Sequence, residues 1–446
     1  MKRITYLFFI LGLAVSYYFG YLRGAGVITD EQLRALLVMI ATFLMIATEY
    51  RHKVVASLAG VVALWALGIL SGWEMFHFLD MEVLGLLFGM MIVVGSLKIS
   101  GFFEMFSDFF LRLRVGPIKL MVALTSVTAF LSAFLDNITV ALFMVTVAIN
   151  LSRSLGVSPI PLTMSTAFSA VIGGLGTLVG DPPNIMIASA TGATFTEFLI
   201  NTGPAAVVAY LVCIVAMYFY YRKELSAAKA VDVEPLNKRT VKVDRFLMYV
   251  GLTAFLGAVI LFLLQDLTGI PPAAAAIYAA TFVIALGGRN TDKILKEIEW
   301  DVLIFLGALL VIAGGLEKTG LLHLMAEGLL GIAGHNQLIM TSLILWLSAL
   351  LSSVVDNIPV TASLIPMLKE ITEELNAYHL WWALASGAAI GGLATPLASV
   401  PVLVAYKSLE ETGEGIKFVD FVKVGMLFLV IVTAALNLYL IVRYGI

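Results

Sequence analysis

Charged residues are scarce in this chain of 446 residues: only 13% are Asp, Glu, Lys or Arg, while 61% are hydrophobic. Soluble domains average about 25% charged residues, so the composition excludes a soluble protein of this size. The apolar stretches recur at the length of about 20 residues that a helix needs to cross a bilayer. Alternating segments of about ten residues, typical of membrane β-barrels, are missing. We therefore predict an all-α polytopic membrane protein.

Cysteine and histidine are rare as well. Cys213 is the single cysteine, which excludes an intrachain disulfide or a thiolate cluster. The five histidines are scattered, and no pair has the spacing of metal ligands, which argues against a metal enzyme. The net charge is −3 and there is no basic tail, so no nucleic-acid partner is indicated. We expect no cofactor, and the lipid bilayer as the surrounding medium.

Two polar stretches interrupt the apolar segment 131–190. Asp136-Asn137 joins two apolar runs whose outer ends are both basic, which predicts a re-entrant hairpin over 117–154. The run GGLGTLVGDPP, from Gly173 to Pro183, cannot continue a helix and predicts a broken helix over 163–190. Polar groups at membrane depth are functional candidates because burying them there is costly.

The second half of the chain repeats these features. Asp356-Asn357 matches the first Asp-Asn pair, and the GGLAT run at 391–395 matches GGLGT at 173–177. A hairpin over 337–375 and a broken helix over 380–407 follow. Loop charges place the two copies in opposite orientations, and inverted repeats with broken helices indicate a secondary transporter with a site near the membrane midplane.

The predicted organisation has five parts and about 11 transmembrane helices, two re-entrant hairpins and two broken helices. The parts are N-terminal scaffold helices over 1–72, with spans at about 4–22, 33–48 and 53–71, a first inverted repeat over 73–221 that ends in a span at about 203–221, a cytoplasmic linker over 222–245, connecting scaffold helices over 246–296 and a second inverted repeat over 297–446. Residues 102–114 are predicted to form a helix in the membrane interface. The positive-inside rule predicts a multi-pass protein of the inner (plasma) membrane, with a cytoplasmic N-terminus and an extracytoplasmic C-terminus.

The predicted substrate- and ion-binding residues lie at the hairpin tips and in the broken helices. They are Asp136, Asn137, Thr139, Gly174, Gly176, Thr177, Gly180, Asp181, Asn184, Asp356, Asn357, Thr361, Gly392 and Thr395. A buried carboxylate can hold a proton or help to coordinate a cation, so the coupling ion is H⁺ or Na⁺. Possible Na⁺ ligands are Asp136, Asn137, Asp356 and Asn357.

Structural interpretations of the same residues stay open. The aspartates can cap helices, the glycines can pack closely between helices, and the threonine hydroxyls can bond within the protein. Asp181 occurs in only one repeat and is either linked to substrate or protons, or a cap before two prolines.

The substrate is a small inorganic ion or a metalloid. No Lys or Arg falls within either hairpin tip or broken loop, which argues against a Na⁺-coupled anion (carboxylate) symporter. Arsenite is an uncharged triol at neutral pH and suits hydroxyls, amides and carboxylates, so arsenite or antimonite efflux ranks first and a Na⁺/H⁺ antiporter second.

A passive channel is disfavoured by the broken helices. An intramembrane aspartyl protease is only a remote alternative. The GxGD element of such proteases needs a glycine at the position where this chain has Leu178.

The two Asp-Asn hairpins, the GGLGTLVGDPPNIMIA element and the inverted repeat together resemble the ion transporter superfamily. Within it the first half is most similar to the ArsB/NhaD branch of arsenite permeases and P protein-like permeases, through Gly180-Asp181-Pro182-Pro183-Asn184. The resemblance covers about residues 80–440. It implies a homodimer with a mobile transport domain and elevator-like alternating access. It is also compatible with a soluble ATPase partner. The second loop departs from the pattern, since Thr395 to Pro401 contains neither Asp nor Asn.

Overall fold

The structure is a computed structural model. It describes residues 26–48, 51–105, 115–226, 243–413 and 415–446, and in addition Tyr17, Gly20, Tyr21, Arg23, Gly24 and Phe110. The regular structure of these residues is helical throughout, without strands, which confirms the predicted all-α class. The predicted first span, at about 4–22, lies almost entirely outside the described residues, as does much of the predicted interfacial helix at 102–114.

Twenty α-helices are described. They are α1 (Asp30–Ala47), α2 (Lys53–Ala66), α3 (Gly72–His77), α4 (Met81–Ser100), α5 (Pro117–Phe134), α6 (Asn137–Ser154), α7 (Pro159–Gly174), α8 (Pro182–Thr191), α9 (Phe195–Ser226), α10 (Arg245–Leu263), α11 (Gln265–Thr268), α12 (Pro272–Gly287), α13 (Thr291–Lys296), α14 (Trp300–Lys318), α15 (Leu321–Ala333), α16 (Gln337–Ser352), α17 (Asn357–Leu375), α18 (Leu380–Gly391), α19 (Val400–Glu411) and α20 (Phe418–Tyr444). Seven of them, α4, α5, α6, α9, α10, α14 and α20, are long and apolar enough to cross a membrane.

Short breaks interrupt the helices where the sequence predicts them. Only residues 135–136 separate α5 from α6, and only residues 353–356 separate α16 from α17. In the broken helices, α7 and α8 are separated by residues 175–181, and α18 and α19 by residues 392–399. Pro182 and Pro183 open α8 and Pro401 opens α19, since a proline in the first helical turn gives up no hydrogen bond.

Equivalent hydrogen bonds stabilise each repeat internally. Ser132 Oγ donates to the Ala170 carbonyl at 2.6 Å, and its counterpart Ser352 Oγ donates to the Ala388 carbonyl at 2.7 Å. Each bond ties the first helix of a hairpin to the first half of the following broken helix. The repeat seen in the sequence is therefore also a repeat of side-chain contacts.

The second half of each broken helix packs against the other repeat. α8 contacts α17 and α18, while α19 contacts α6 and α7. The hairpins and broken helices of both repeats thereby form one crossed unit. Around it, α4 packs chiefly against α12, and α14 chiefly against α2, so these scaffold helices are paired in the same way in both halves.

Replacing Gly173 or Gly391 by alanine is expected to destabilise the crossed unit. A Cβ atom at Gly173 would lie 2.2 Å from the Ala129 carbonyl oxygen, and one at Gly391 would lie 2.6 Å from the Ala349 carbonyl oxygen. Because backbone atoms, and at Gly391 also the Cβ atom of Ser352 at 2.4 Å, are in the way and cannot move aside easily, we expect a cost of about 1–3 kcal/mol. The thermal midpoint of detergent-purified protein should fall for both variants. Gly257→Ala is the control, since no atom lies within 4 Å of its Cβ position; an equal midpoint in all three would contradict the close packing.

Candidate functional site

Both hairpin tips, both broken loops and three scaffold helices surround one cavity. From the crossed unit it is lined by Phe134, Asp136, Asn137, Ile138, Val179, Gly180, Asp181, Pro182, Ile185, Asp356, Asn357, Ile358, Ser399, Val400 and Pro401. From the scaffold it is lined by Lys53 of α2, by Leu87, Met90, Met91 and Val94 of α4, by Glu299, and by Val302 of α14. The cavity thus lies where the crossed unit meets the scaffold.

The tip aspartates cap the second helix of each hairpin. Asp136 Oδ2 accepts a hydrogen bond from the Thr139 amide at 2.8 Å, and Asp356 Oδ1 accepts one from the Ile358 amide at 3.0 Å. These bonds satisfy amides that a helix N-terminus leaves without partners. Both carboxylates are only half-buried and also line the cavity. Capping and exposure to a ligand are therefore combined in the same side chains.

Asp181 connects the two repeats. It lies at the start of α8 but makes no side-chain cap, and it is 3% exposed. Its Oδ2 accepts a hydrogen bond from Asn357 Nδ2 of the opposite hairpin at 2.8 Å, and the Asn137 side chain interacts with the same carboxylate. The asparagines, interpreted from the sequence as orienting the tip aspartates, thus converge on Asp181. Of the two hypotheses for Asp181, the side-chain cap is wrong.

Negative charge is concentrated at this point. The carboxylates of Asp136 and Asp356 both act on Asp181 through their charge. Like charges repel strongly where water is scarce, and a buried charge needs a partner. It is therefore costly to keep all three aspartates charged together in one cavity.

Ser399 is the counterpart of Asp181 in the second repeat. Both residues precede the second half of a broken helix, with nearly the same extended backbone: φ −149° and ψ 138° at Asp181, φ −155° and ψ 146° at Ser399. Ser399 Oγ donates to the Gly392 carbonyl at 2.9 Å. The second loop keeps the geometry of the first but places a neutral side chain in the cavity.

The other predicted loop residues are used mainly within the protein. Thr177 and Thr395 each donate their hydroxyl to a carbonyl near the end of the neighbouring hairpin helix, that of Ala133 and that of Ser353. Asn184 Nδ2 donates to the Gly174 and Thr177 carbonyls at 2.9 and 2.8 Å, which holds the broken loop closed. Asn184 Oδ1, however, is buried and has no partner among the described residues.

Close packing also involves the predicted glycines. A Cβ atom at Gly180 would lie 2.5 Å from the Gly174 carbonyl oxygen, and one at Gly176 would lie 3.1 Å from the Gly173 carbonyl oxygen. Eight predicted residues do not line the cavity: Thr139, Gly174, Gly176, Thr177, Asn184, Thr361, Gly392 and Thr395. Thr361 is fully buried, and its hydroxyl lacks a partner within the described part of the chain.

Lys53, Glu299 and Ser399 line the cavity although the sequence did not single them out. Lys53 and Glu299 begin helices next to loops, where charges usually face water, and nothing in the sequence places them beside the hairpin tips. Ser399 could have been found, because it follows Gly392 by the same seven positions that separate Asp181 from Gly174.

The chain is similar to known transport proteins over nearly its whole length. A protein-family model described as "Citrate transporter" matches residues 43–387. An uncharacterized transporter of Mycobacterium tuberculosis is 31% identical over 425 residues, covering 92% of this chain and 98% of that protein. The human P protein is 26% identical over 513 residues, covering 95% of this chain and 61% of that protein. These relatives confirm the resemblance to the superfamily that contains the P protein-like permeases.

A solved structure has the same fold. The crystal structure of the Alcanivorax borkumensis YdaH transporter superposes with a TM-score of 0.63 at 14% sequence identity, covering 92% of this chain and 98% of that one. The sequence and structural matches agree with the helical architecture around the cavity. The chain is a multi-pass membrane transporter, not an enzyme, and it belongs to the citrate transporter family.

Proposed function

We propose that this protein is a proton-coupled secondary transporter that exports arsenite or antimonite. The observation that carries the proposal is the junction of the two repeats at Asp181, with Asp136 and Asp356 in the same cavity. Neutralising these carboxylates with protons in one conformation, and with a substrate in another, would couple the two movements.

The chemistry of the cavity favours a ligand that donates hydrogen bonds or carries positive charge. Its polar lining contains the carboxylates of Asp136, Asp181, Asp356 and Glu299 against the single ammonium group of Lys53. An organic anion would need cations to offset its charge, and the four carboxylates outnumber the one ammonium group. The three hydroxyls of undissociated arsenite could instead donate to carboxylate oxygens.

Cavity size also favours a small substrate. The free volume is about 50 Å³, which is room for about four water molecules when each needs about 10–15 Å³. A metalloid triol or a partly hydrated ion is of suitable size.

The positive-inside rule supports an assignment of sides. Lys53 follows the basic loop that contains Arg51, and Glu299 follows Lys293 and Lys296, so the end of the cavity near these residues would face the cytoplasm. Movement of the crossed unit against the scaffold would then open it to the other side, as in elevator-like alternating access. We propose a homodimer in the inner (plasma) membrane, with a cytoplasmic N-terminus and an extracytoplasmic C-terminus.

A Na⁺/H⁺ antiporter is the second candidate. The unpartnered Asn184 Oδ1 and the half-buried carboxylates of Asp136 and Asp356 are oxygen ligands of the kind that hard cations prefer. Among the described residues, no group of three or more His, Cys, Asp or Glu side chains is placed to hold a metal ion. A sodium ion here would need amide and main-chain oxygens as well.

Proteoliposomes that contain a pH-sensitive dye separate the candidates. The purified protein is reconstituted into these liposomes. Na⁺, Li⁺, K⁺, arsenite and citrate are then added in turn to the proteoliposomes. Proton movement driven by arsenite alone is the expected result. Movement with Na⁺ or Li⁺ alone would replace the proposal by the cation antiporter, and movement with citrate alone would establish an anion symporter.

A further inference from the structure

Two charged side chains of the scaffold helices line the cavity. Lys53 and Glu299 line the cavity together with Asp136 and Asp356. Lys53 Nζ is 4.0 Å from Asp301 Oδ2 and 5.2 Å from the centre of the Phe305 ring, so the lysine already has an acidic partner.

Among the described residues, Glu299 differs from Glu297 and Asp301 in having no side-chain partner. Glu297, two residues earlier, forms an ion pair with Lys98 at 2.5 Å and does not line the cavity. Within the described part of the chain, no side chain forms a hydrogen bond or ion pair with the Glu299 carboxylate, which is half-buried at the cavity wall. Such a carboxylate can exchange a proton without breaking a bond within the protein.

The electrostatic surroundings set the protonation of Glu299. The pKa of Glu299 is raised to about 7: burial raises it most, the negative charges of Asp136 and Asp301 raise it as well, and Lys53 and Lys98 lower it. Asp356 also faces the same cavity. A group that titrates near neutral pH is suited to both taking up and releasing protons.

The other repeat has a carboxylate at the equivalent position. Glu299 precedes α14 and Asp80 precedes α4, and each is the N-cap residue of its helix. Asp80 is engaged: its Oδ2 accepts a hydrogen bond from Ser189 of α8. Asp80 is thus hydrogen-bonded within the protein, whereas Glu299 has no such side-chain partner among the described residues.

We propose that Glu299 is a proton-transfer residue, which exchanges protons between the water outside the cavity and Asp136. When the cavity is open to the cytoplasm, the Asp136 carboxyl group releases its proton to water in the cavity as the Glu299 carboxylate gains one, and Glu299 then releases that proton to bulk water. The reverse sequence returns a proton to Asp136. This inference rests on the proposed coupling function of Asp136 and adds the route by which its proton arrives.

Proteoliposome assays on Glu299→Gln separate proton transfer from a structural role. We expect the arsenite-driven proton movement to slow about 100-fold, the lower end of the loss seen when a general acid–base group is removed, and its dependence on pH around 7 to flatten. Exchange of labelled arsenite for unlabelled arsenite needs no net proton movement and should stay within about twofold of wild type. Glu297→Gln is the matched control and should behave as wild type in both assays.

Several results would overturn the inference. An unchanged proton rate and pH profile in Glu299→Gln would do so, and an equal loss in both assays would assign Glu299 a structural role. If the glutamine variant does not fold, Glu299→Asp keeps a carboxyl group at a shorter reach and should slow proton movement while sparing exchange. Wild-type protein that moves arsenite without protons would refute the proposed coupling itself, which distinguishes that failure from failure of the proton route alone.

Discussion

Asp181→Asn is expected to reduce coupled transport about 100-fold while leaving the protein folded. The asparagine fits the same space and can still accept the hydrogen bond from Asn357, but it can neither carry charge nor bind a proton. A charge-assisted hydrogen bond contributes about 1.5–3 kcal/mol, and about 1.4 kcal/mol corresponds to a tenfold effect. Transport in proteoliposomes and the elution profile of the purified protein are the two measurements.

The control for Asp181 is its counterpart in the other repeat. Ser399→Ala removes a hydroxyl that bonds to the Gly392 carbonyl and changes no charge, so we expect most of the transport to remain. If Asp181→Asn transported as well as Ser399→Ala, the charge of Asp181 would have no part in the mechanism. Asp181 would then act only in tying the two repeats together.

Asp136→Asn and Asp356→Asn are each expected to abolish coupled transport. Asparagine caps a helix about as well as aspartate, so the bonds to the Thr139 and Ile358 amides should survive. Only the ability to hold a proton or neutralise a cation is lost. The substitution therefore separates the capping hypothesis from the transport hypothesis, which the structure combines in the same two residues.

Asp244→Asn is the matched control for these substitutions. Asp244 caps α10 by accepting a hydrogen bond from the Leu247 amide at 3.0 Å, and it does not line the cavity. Its variant should match wild type in thermal stability and transport. Wild-type flux in Asp136→Asn or Asp356→Asn would remove that carboxylate from the mechanism, and a loss of thermal stability confined to these two variants would favour capping alone.

The sequence predicts the local features of this site well. The Asp-Asn pairs and the glycine- and proline-rich runs mark the hairpin tips and helix breaks because they interrupt apolar runs, and such interruptions depend only on neighbouring residues. The helix bounds differ from prediction in detail. The span predicted at about 203–221 is part of a longer helix, Phe195–Ser226, and the one predicted at 53–71 ends at Ala66.

Patterns of neighbouring residues do not predict contacts between segments that are distant in the sequence. The bond from Asn357 to Asp181 joins residues 176 positions apart, and it depends on how the two repeats cross. The same is true of Lys53 and Glu299, since a charge beside a loop has the same local pattern whether it faces water or a cavity. The sequence argument against an anion substrate therefore lacked one cation, Lys53, that faces the cavity.

The bond between Asp181 and Asn357 has a consequence for biogenesis. During synthesis Asp181 leaves the ribosome 176 residues before its partner, so the first repeat must enter the bilayer with this carboxylate unsatisfied by the second. A buried carboxylate without its partner is unfavourable in lipid, and the nascent first half is therefore incomplete until the second hairpin arrives. The polar site is therefore completed only after the second hairpin has been synthesised and has entered the bilayer.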